Sequence, residues 1–182
     1  MNYSVIESVT HIILDRDGVI NKKANLVTGE KYILKPEELE IYPDFFKFAT
    51  WAKGKNVVLI VATNQQGLAL DILFAPSLDS IHAKIQLELQ SRGAKSIDRF
   101  YVCGHLDGEC DCRKPAPGLL LAILRDYNIP KSSVVFIGDS KSDKLAAERV
   151  KVRFIQMQRD PNDEIFAHEH VSNFEELIGA MG

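Results

Sequence analysis

The hydrophobic and polar pattern of the chain predicts alternating strands and helices. Three continuous apolar runs are each followed by small polar residues; they are His11-Ile12-Ile13-Leu14, Val57-Val58-Leu59-Ile60-Val61-Ala62 and Val134-Val135-Phe136-Ile137. Runs without polar alternation are typical of strands buried on both faces, as in a parallel sheet covered by helices. We expect strands over residues 11–15, 57–62, 99–102, 134–137 and 152–157.

Apolar residues recur at helical spacing between these runs. Asp44 is the expected N-cap of a first helix that ends near Gly54. Further helices are expected from Leu78 to Arg92, after Pro117 through Leu124, from about Ser142 to Arg149 and from about Asn173 to Ala180. Strands that alternate with helices predict a doubly wound, three-layer, Rossmann-like α/β fold with a parallel sheet, and the length of 182 residues predicts a single domain over residues 1–182.

The polar residues after the three apolar runs are predicted to meet at one edge of the sheet. They are Asp15-Arg16-Asp17-Gly18, Thr63-Asn64-Gln65-Gln66-Gly67 and Gly138-Asp139-Ser140-Lys141-Ser142-Asp143. In doubly wound sheets the ligand site lies at the carboxyl ends of the strands. Between the second and third clusters, Cys112-Arg113-Lys114-Pro115 adds cations that have no obvious role in a core.

Asp15 and Asp17 are the candidate reactive pair. Side chains alternate along a strand, so residues 15 and 17 start on the same side, and Gly18 permits a sharp turn after them. Two carboxylates at one site can divide the work, one as metal ligand or nucleophile and the other as proton donor or acceptor. The alternative interpretation is a charged turn that ends the strand. The other motifs favour the reactive pair.

With these motifs in this order, the chain resembles the haloacid dehalogenase (HAD) superfamily of phosphotransferases over nearly its whole length. The resemblance implies a phosphatase and gives each motif residue a role. Asp15 would be the nucleophile that takes up the phosphoryl group, and Asp17 would protonate the leaving alcohol and later activate water. Thr63 would hydrogen-bond the phosphoryl oxygens, and Lys114 would bind phosphate. Asp15, the backbone carbonyl of Asp17 and Asp139 would hold Mg²⁺.

Phosphoryl-transfer chemistry explains these residue types independently of the resemblance. The reaction needs positioning and charge neutralisation, and Mg²⁺ prefers oxygen ligands. Two ionised acids would repel a phosphate. The positive charges of the metal and of Lys114 offset this repulsion and attract the phosphate. Asp143 shares a helix face with Asp139, and we interpret it as a residue that orients the ligands rather than as a ligand. Alternatively, Asp143 caps the helix that starts near Ser140.

Three cysteines and a histidine form a second candidate metal site. Its residues are Cys103, His105, Cys110 and Cys112, which include every cysteine of the chain. An odd number of cysteines without a signal peptide argues against a disulfide framework. Three thiolates and one imidazole complete a tetrahedral Zn²⁺ site with no open position, which is the structural arrangement. The alternative is accidental clustering. The zinc would organise a short polar loop from which Arg113 and Lys114 emerge.

The zinc loop narrows the resemblance to the group of HAD phosphatases that act on heptose bisphosphate or histidinol phosphate. Ile20-Asn21, Tyr32-Ile33 and Lys114-Pro115-Ala116-Pro117-Gly118 resemble the heptose members, whereas the short loop between Cys103 and Cys110 resembles the histidinol members. We expect D-glycero-D-manno-heptose 1,7-bisphosphate as the substrate, cleaved to the 1-phosphate, with histidinol phosphate as the alternative. The candidate substrate-binding residues are Asn64, Gln65, Arg113 and Tyr32.

The segment from Lys22 to Pro43 has no clear period and carries several lysines, among them Lys22, Lys23, Lys31 and Lys35. Other superfamily members insert a cap domain here, and this segment is too short for one. A capless site depends on this segment and on the zinc loop for specificity, so Tyr32 and the lysines could face the far end of the substrate. Alternatively, the lysines are solvated and contact nothing.

Charge and hydropathy argue against a nucleic-acid-binding protein and a membrane protein. A net charge of −3 and the lack of a basic patch argue against a nucleic-acid partner, and no apolar stretch approaches a membrane span. We expect a soluble, cytoplasmic, monomeric enzyme that binds a small phosphate ester. A zinc-stabilised binding module without catalysis is the non-enzymatic alternative, and the complete set of motif residues argues against it. We interpret His82, His168 and His170 as surface or packing residues because they lie outside the motifs.

Overall fold

The computed structural model describes residues 9–24 and 32–181. These residues form one six-stranded sheet and five α-helices. The strands are β1 (His11–Leu14), β2 (Val58–Asn64), β3 (Arg99–Cys103), β4 (Val134–Gly138), β5 (Arg153–Met157) and β6 (His170–Val171). The helices are α1 (Pro43–Gly54), α2 (Ala75–Ser91), α3 (Gly118–Asp126), α4 (Lys141–Val150) and α5 (Phe174–Met181).

The strand order is β3-β2-β1-β4-β5-β6, and every neighbouring pair is parallel. Leu14, at the end of β1, lies opposite Val61 of β2 on one side and Ile137 of β4 on the other. The order of the strands reverses between β1 and β4, which is where doubly wound sheets form a crevice for ligands. The structure thus confirms the predicted α/β fold with its parallel sheet.

Alternate strand residues pack on opposite faces of the sheet. Ile12 and Leu14 belong to the cluster that includes buried residues of α1, α2 and α5. Ile13 belongs to the second cluster, with buried residues of α3 and α4. Full burial of such an aliphatic side chain stabilises the fold by about 1.5–3 kcal/mol. Packing on both faces explains why these strands are continuously apolar.

The expected N-cap role of Asp44 is wrong. Helix α1 begins at Pro43, and Tyr42 is its N-cap residue. Proline suits the first helical position because the N–H that it lacks would have no partner within the helix. The carboxylate of Asp44 instead accepts hydrogen bonds from the backbone N–H of Phe174 at 2.7 Å and from Arg159 at 2.6 Å. Asp44 therefore ties α1 to the start of α5.

Several element boundaries also differ from the prediction. Strand β2 continues through Thr63 and Asn64, which the pattern placed after the strand. Helix α2 begins earlier than Leu78, at Ala75, with a proline in its first turn. The edge strand β6 was not predicted, since two residues carry no periodic signal.

The segment between β1 and α1 holds no cap domain in its described parts, residues 15–24 and 32–42. They form turns, a 3₁₀ turn over Pro36–Glu38, and isolated bridges from Asn21 to Asp17 and Ile41. Residues 25–31, which include Lys31, lie outside the described residues, so the expectation for Lys31 stays a prediction. In residues 9–24 and 32–181, no helix combines the length and the apolar character that crossing a bilayer requires.

Candidate active site

The strand-end motifs meet around the side chain of Lys114. Asp15 follows β1, and its backbone N–H donates to the carbonyl oxygen of Ile137 at 2.9 Å. Lys114 Nζ lies 2.9 Å from Asp15 Oδ1 and 2.6 Å from Asp143 Oδ1, and it donates to the carbonyl oxygen of Ala62 at 2.8 Å. Burial would lower the pKa of Lys114, but the Asp143 and Asp15 carboxylates outweigh it and raise the pKa. The two carboxylates therefore favour the charged form of the buried lysine.

Asp15, Asp139 and Asp143 form a cluster of carboxylates. One oxygen of each lies within 4.8 Å of the others. Burial raises the pKa of Asp15 to about 8; Lys114 opposes this shift, and Asp143 and Asp139 add to it. Burial also raises the pKa of Asp139, against the opposing charge of Lys23. Carboxylates this close favour a bound cation, and a set of oxygen ligands suits Mg²⁺.

Asp143 belongs to the capping box of α4 and also contacts Lys114. Its backbone N–H donates to Oγ of Ser140, the N-cap of α4, at 3.2 Å, and its Oδ2 accepts the N–H of Ser140 at 3.1 Å. Its Oδ1 pairs with Lys114. Both carboxylate oxygens are thus occupied, which favours an orienting role over a ligand role. A Cβ atom at Gly138 would lie 2.5 Å from Asp143 Cβ, so glycine is needed for this close approach.

Asp17 is held by neighbouring donors. Nε and Nη2 of Arg16 donate to its two oxygens at 2.9–3.2 Å. Asn21 Nδ2 donates to Oδ1 at 2.8 Å, and Gln65 Nε2 donates to Oδ2 at 2.9 Å. Burial would raise the pKa of Asp17, but the Arg16 charge and the hydrogen bonds outweigh it and lower the pKa. The side chain is still 30 % exposed, so an incoming group can reach it.

Thr63, Asn64 and Gln65 connect the second motif to the acids. Thr63 is buried, and its Oγ1 accepts a hydrogen bond from Gln65 Nε2 at 2.8 Å, so Gln65 bridges Thr63 and Asp17. Asn64 pairs with the backbone of Lys114: its Nδ2 donates to the carbonyl oxygen at 2.9 Å, and its Oδ1 accepts the N–H at 3.1 Å. Both amides therefore position their neighbours, and their contact with a substrate stays a prediction.

Gly18 and Lys23 lie against Asp139. The φ angle of Gly18 is +87°, and a Cβ atom there would lie 1.9 Å from Asp139 Oδ2. Only glycine allows this turn to pass so near the carboxylate. Lys23 Nζ lies 2.6 Å from the same oxygen, on a side chain that is 59 % exposed. A lysine that occupies this oxygen supports Asp139 as a cation ligand, and its exposure gives it room to move away.

A cavity of about 200 Å³ opens beside Asp17. Its lining residues are Asp17, Lys23, Ala24, Tyr32, Ile33, Asn64 and Gln65. The cavity places Tyr32 and Lys23 of the β1–α1 segment next to the motif residues, and their contact with a substrate stays a prediction. A molecule in this cavity would lie within reach of Asp17.

The four candidate zinc ligands are clustered at the end of β3. Their Sγ and Nδ1 atoms lie within 4.8 Å of one another, with S···S separations of 3.1–3.6 Å. His105 Nδ1 lies 3.6 Å from Cys103 Sγ and 3.4 Å from Cys112 Sγ. A disulfide needs sulfurs about 2.05 Å apart, whereas ligands of a tetrahedral Zn²⁺ ion lie at close to these separations. The donor set therefore fits a structural zinc ion.

The zinc loop, residues 103–112, is hydrogen-bonded to the motif residues of the active site. The carbonyl oxygen of Cys103 accepts the backbone N–H of Gln65 at 2.7 Å, and the Sγ atom of Cys110 accepts the N–H of Arg113 at 3.3 Å. The turn then places Lys114 against Asn64. Any cation that orders this loop would also fix Lys114, without contact with a substrate.

Arg113 lies on the side of the zinc loop and does not line the cavity beside Asp17. Its Nη2 donates to Gln66 Oε1 at 3.0 Å, and its Nε lies 3.9 Å from Asp107 Oδ1. Its Nη1 is buried and has no hydrogen-bond partner within residues 9–24 and 32–181. The contact of Arg113 with a substrate therefore stays a prediction.

Sequence reasoning missed the part that Arg16 and His82 play in this site. Arg16 is fully buried behind Asp17, and His82 of α2 lies 3.5 Å from its guanidinium. The packing role predicted for His82 is confirmed, since its ring stacks on Phe100, but its contact with Arg16 was not foreseen. The chain separation of 66 residues gives no spacing signal. His168 is exposed, and His170 lies in β6.

Comparison with known proteins identifies relatives of one enzyme family. A family model described as HAD-hydrolase-like matches residues 111–168. A D-glycero-beta-D-manno-heptose-1,7-bisphosphate 7-phosphatase from Pseudomonas putida is 37 % identical over 139 residues, or 75 % of each chain. A D-glycero-alpha-D-manno-heptose-1,7-bisphosphate 7-phosphatase from Campylobacter jejuni is 29 % identical over 167 residues, or 92 % of each chain.

A solved structure agrees in fold as well as in sequence. The D,D-heptose 1,7-bisphosphate phosphatase from B. bronchiseptica, complexed with magnesium and phosphate, matches with a TM-score of 0.82 and 27 % identity over 94 % of this chain and 99 % of that chain. These similarities extend over most of both chains, and the motif residues meet at one site as a HAD phosphatase requires. The chain belongs to the D-glycero-D-manno-heptose-1,7-bisphosphate phosphatase family of the HAD superfamily.

Proposed function

We propose that this phosphatase removes the 7-phosphate of D-glycero-D-manno-heptose 1,7-bisphosphate and leaves the 1-phosphate. The observation that carries the proposal is the buried Lys114 between Asp15 and Asp143, with Asp17 at the adjoining cavity. This arrangement supplies a nucleophile, a cation and a proton carrier at one point. The names of the relatives support the choice of sugar.

Two displacements at phosphorus follow from the residues present. A carboxylate oxygen of Asp15 attacks the phosphorus, the bond from phosphorus to the sugar oxygen breaks, and that oxygen takes a proton from Asp17. For this step Asp17 must first take up a proton from solvent, which the negative charge of the bound phosphate would favour by raising its pKa. Asp17 then removes a proton from water, and the water oxygen attacks the aspartyl phosphate. The bond from phosphorus to Asp15 breaks, which releases inorganic phosphate and restores both acids.

Lys114 and Thr63 hold the phosphoryl group in this proposal. Charge builds up on the phosphoryl oxygens during transfer, and a fixed ammonium stabilises that charge without rearrangement. Lys114 is already fixed by Asp15, Asp143 and the carbonyl oxygen of Ala62. The Thr63 hydroxyl accepts from Gln65, so its own proton is free to point to a phosphoryl oxygen.

The carboxylate cluster fits a magnesium ion. Asp15 and Asp139 would hold it together with the backbone carbonyl of Asp17, while Asp143 stays paired with Lys114. When bound, Mg²⁺ would neutralise charge on the phosphate and on the acids. Lys23 would leave Asp139 at the same time.

A comparison of substrates tests the proposal. The values of kcat/KM with Mg²⁺ should be largest for heptose 1,7-bisphosphate, tried as both anomers, and at least about 100-fold lower for histidinol phosphate, a preference of roughly 2.7 kcal/mol. Turnover of p-nitrophenyl phosphate should stop when Mg²⁺ is omitted. A preference for histidinol phosphate would replace the proposed substrate, and no turnover of any ester would leave only a binding module.

Zinc analysis gives a first prediction. Protein purified without added metal should contain about one Zn²⁺ per chain, held by Cys103, His105, Cys110 and Cys112. The Cys110→Ser variant should lose the ion, and a stability loss of about 2 kcal/mol would lower Tm by about 4–8 °C in a chain of this size. Asp111→Ser is the matched control, because it changes an exposed side chain between two ligands. Zinc-free protein with parental Tm and activity would contradict the site.

Arg113→Ala gives a second prediction. We expect KM for the bisphosphate to rise about tenfold or more with little change in kcat, because a charged hydrogen bond contributes about 1.5–3 kcal/mol to binding. The exposed part of the Arg113 guanidinium, on a side chain that is 20 % exposed, would donate to the phosphate that is not cleaved. The increase should be smaller for p-nitrophenyl phosphate, which lacks that group. Arg125→Ala, on an exposed arginine of α3, is the control. Equal effects on both substrates would show that Arg113 does not contact the distal phosphate.

We also propose that the enzyme works as a cytoplasmic monomer. Three cysteines that form no disulfide are consistent with a reducing compartment. Sedimentation of the purified protein at several concentrations would measure the oligomeric state.

A further inference from the structure

The guanidinium of Arg16 has different partners on its two sides. On one side, Nε and Nη2 donate to both oxygens of Asp17 at 2.9–3.2 Å. On the other side, Nη1 lies 3.5 Å from Nε2 of His82. The arginine is fully buried, so water cannot replace either partner. A guanidinium is a rigid plane, and a group that fixes Nη1 therefore also fixes the two nitrogens that hold Asp17.

His82 is itself held in place. It lies on α2 and is 9 % exposed, and its ring stacks on Phe100 of β3 with 4.1 Å between ring centroids and 12° between ring planes. Burial and the Arg16 charge lower the pKa of His82 to about 4, so the ring is neutral near pH 7. A neutral ring can present a lone pair of Nε2 to Nη1, whereas an imidazolium would repel the guanidinium.

We propose that His82 is a positioning residue for the proton transfer. By holding Arg16, it keeps the carboxylate of Asp17 in one orientation toward the leaving group. This inference rests on the proposed function, in which Asp17 donates a proton to the sugar oxygen. His82 itself touches neither the cavity beside Asp17 nor the carboxylate cluster. Its effect must therefore pass through Arg16.

The dependence of rate on the leaving group separates positioning from mere packing. A phenolate such as p-nitrophenolate leaves without much help from an acid, whereas an alkoxide needs a well-placed proton donor. The values of kcat/KM report the steps up to release of the alcohol. If Asp17 is less well oriented, kcat/KM for an alkyl phosphate should fall more than kcat/KM for an aryl phosphate.

Two substitutions isolate the contact between His82 and Arg16. His82→Phe keeps an aromatic ring against Phe100 but removes the acceptor. His82→Gln removes the ring but restores an acceptor at a similar distance from the backbone. We expect His82→Phe to lower kcat/KM for glycerol phosphate about tenfold more than for p-nitrophenyl phosphate, a part of the roughly 10²–10⁴-fold that a general acid provides. His82→Gln should recover most of this difference.

Two further variants complete the experiment. Asp17→Asn should show the same dependence on the leaving group in stronger form. Leu89→Ala, which opens a cavity on α2 two helical turns from His82, should lower Tm without changing the ratio between the two substrates.

The outcomes decide between the explanations. Equal losses on both substrates in His82→Phe, or a loss that His82→Gln does not relieve, would overturn the positioning role. Failure of the proposed function gives a different result. The parent protein then shows no turnover, or Asp17→Asn shows no dependence on the leaving group. Either result would also overturn the positioning role of His82.

Discussion

The Asp15→Asn variant is expected to lose turnover by at least about 10³-fold while it keeps its fold, because an amide cannot form the aspartyl phosphate. The structure explains why the fold should tolerate the change. Lys114 keeps its partner Asp143 at 2.6 Å, and the neutral amide resembles the protonated form of Asp15 that its raised pKa of about 8 favours near pH 7. Turnover of p-nitrophenyl phosphate with Mg²⁺, together with thermal unfolding, measures both parts of the expectation.

The control for this experiment is Asp79→Asn, which makes the same chemical change at an exposed position on α2. It should retain parental kcat and Tm. Activity of Asp15→Asn within about tenfold of the parent would contradict the nucleophile assignment, since a displaced nucleophile costs far more than that. A large fall in Tm would instead show that Asp15 is needed for folding.

The positions of the acids were predictable from sequence because they depend on strand ends. A continuous apolar run fixes where a strand lies, and a doubly wound sheet brings the carboxyl ends of its central strands together. Asp15 and Asp139 follow β1 and β4, which are neighbours, so their proximity follows from the topology alone. The cysteine and histidine spacing was informative for a similar reason, since all four candidate ligands lie within ten residues of chain that begin at the end of β3.

The partners of the acids were not predictable, because they depend on side-chain direction. Asn64 and Gln65 have the same chemistry, yet the Asn64 amide pairs with the backbone of Lys114 and the Gln65 amide bridges Thr63 and Asp17. Their directions follow from the pleat at the end of β2, which the pattern ended too early. A sequence shows which polar groups reach an edge, but not which of them face one another.

Long-range contacts between helices and motifs could not be predicted from the sequence either. Asp44 has the residue type and the approximate position of an N-cap, but α1 already begins at the preceding proline. Its carboxylate instead accepts a hydrogen bond from the backbone N–H of Phe174 at the start of α5. His82 reaches Arg16 only because α2 packs over β3, where its ring meets Phe100. Local signals compete with such tertiary contacts, and the structure is needed to show which one prevails.

The Lys114→Met variant is expected to lose both activity and stability. Methionine keeps much of the volume but leaves Asp15 and Asp143 without their cation in a buried site. Removal of one partner of a buried ion pair costs about 3–5 kcal/mol. We expect kcat to fall about 10³-fold, with a smaller change in KM, because the ammonium acts on charge that develops during transfer. Denaturant unfolding in magnesium-free buffer without chelator measures the stability and leaves any zinc in place.

A second substitution shows whether the uncompensated charge is the cause. Asp143→Asn in the Lys114→Met background removes one carboxylate from the cluster but keeps an oxygen that can accept the Ser140 N–H. The double variant should therefore regain at least about 1 kcal/mol of the lost stability, the coupling expected for groups in contact, while activity stays low. Lys141→Met is the control, because Lys141 pairs with Glu164 on the surface, and such a pair contributes only about 0–1 kcal/mol. If the double variant is no more stable than Lys114→Met, the loss comes from packing rather than from buried charge, and the lysine is not the counter-ion of this site.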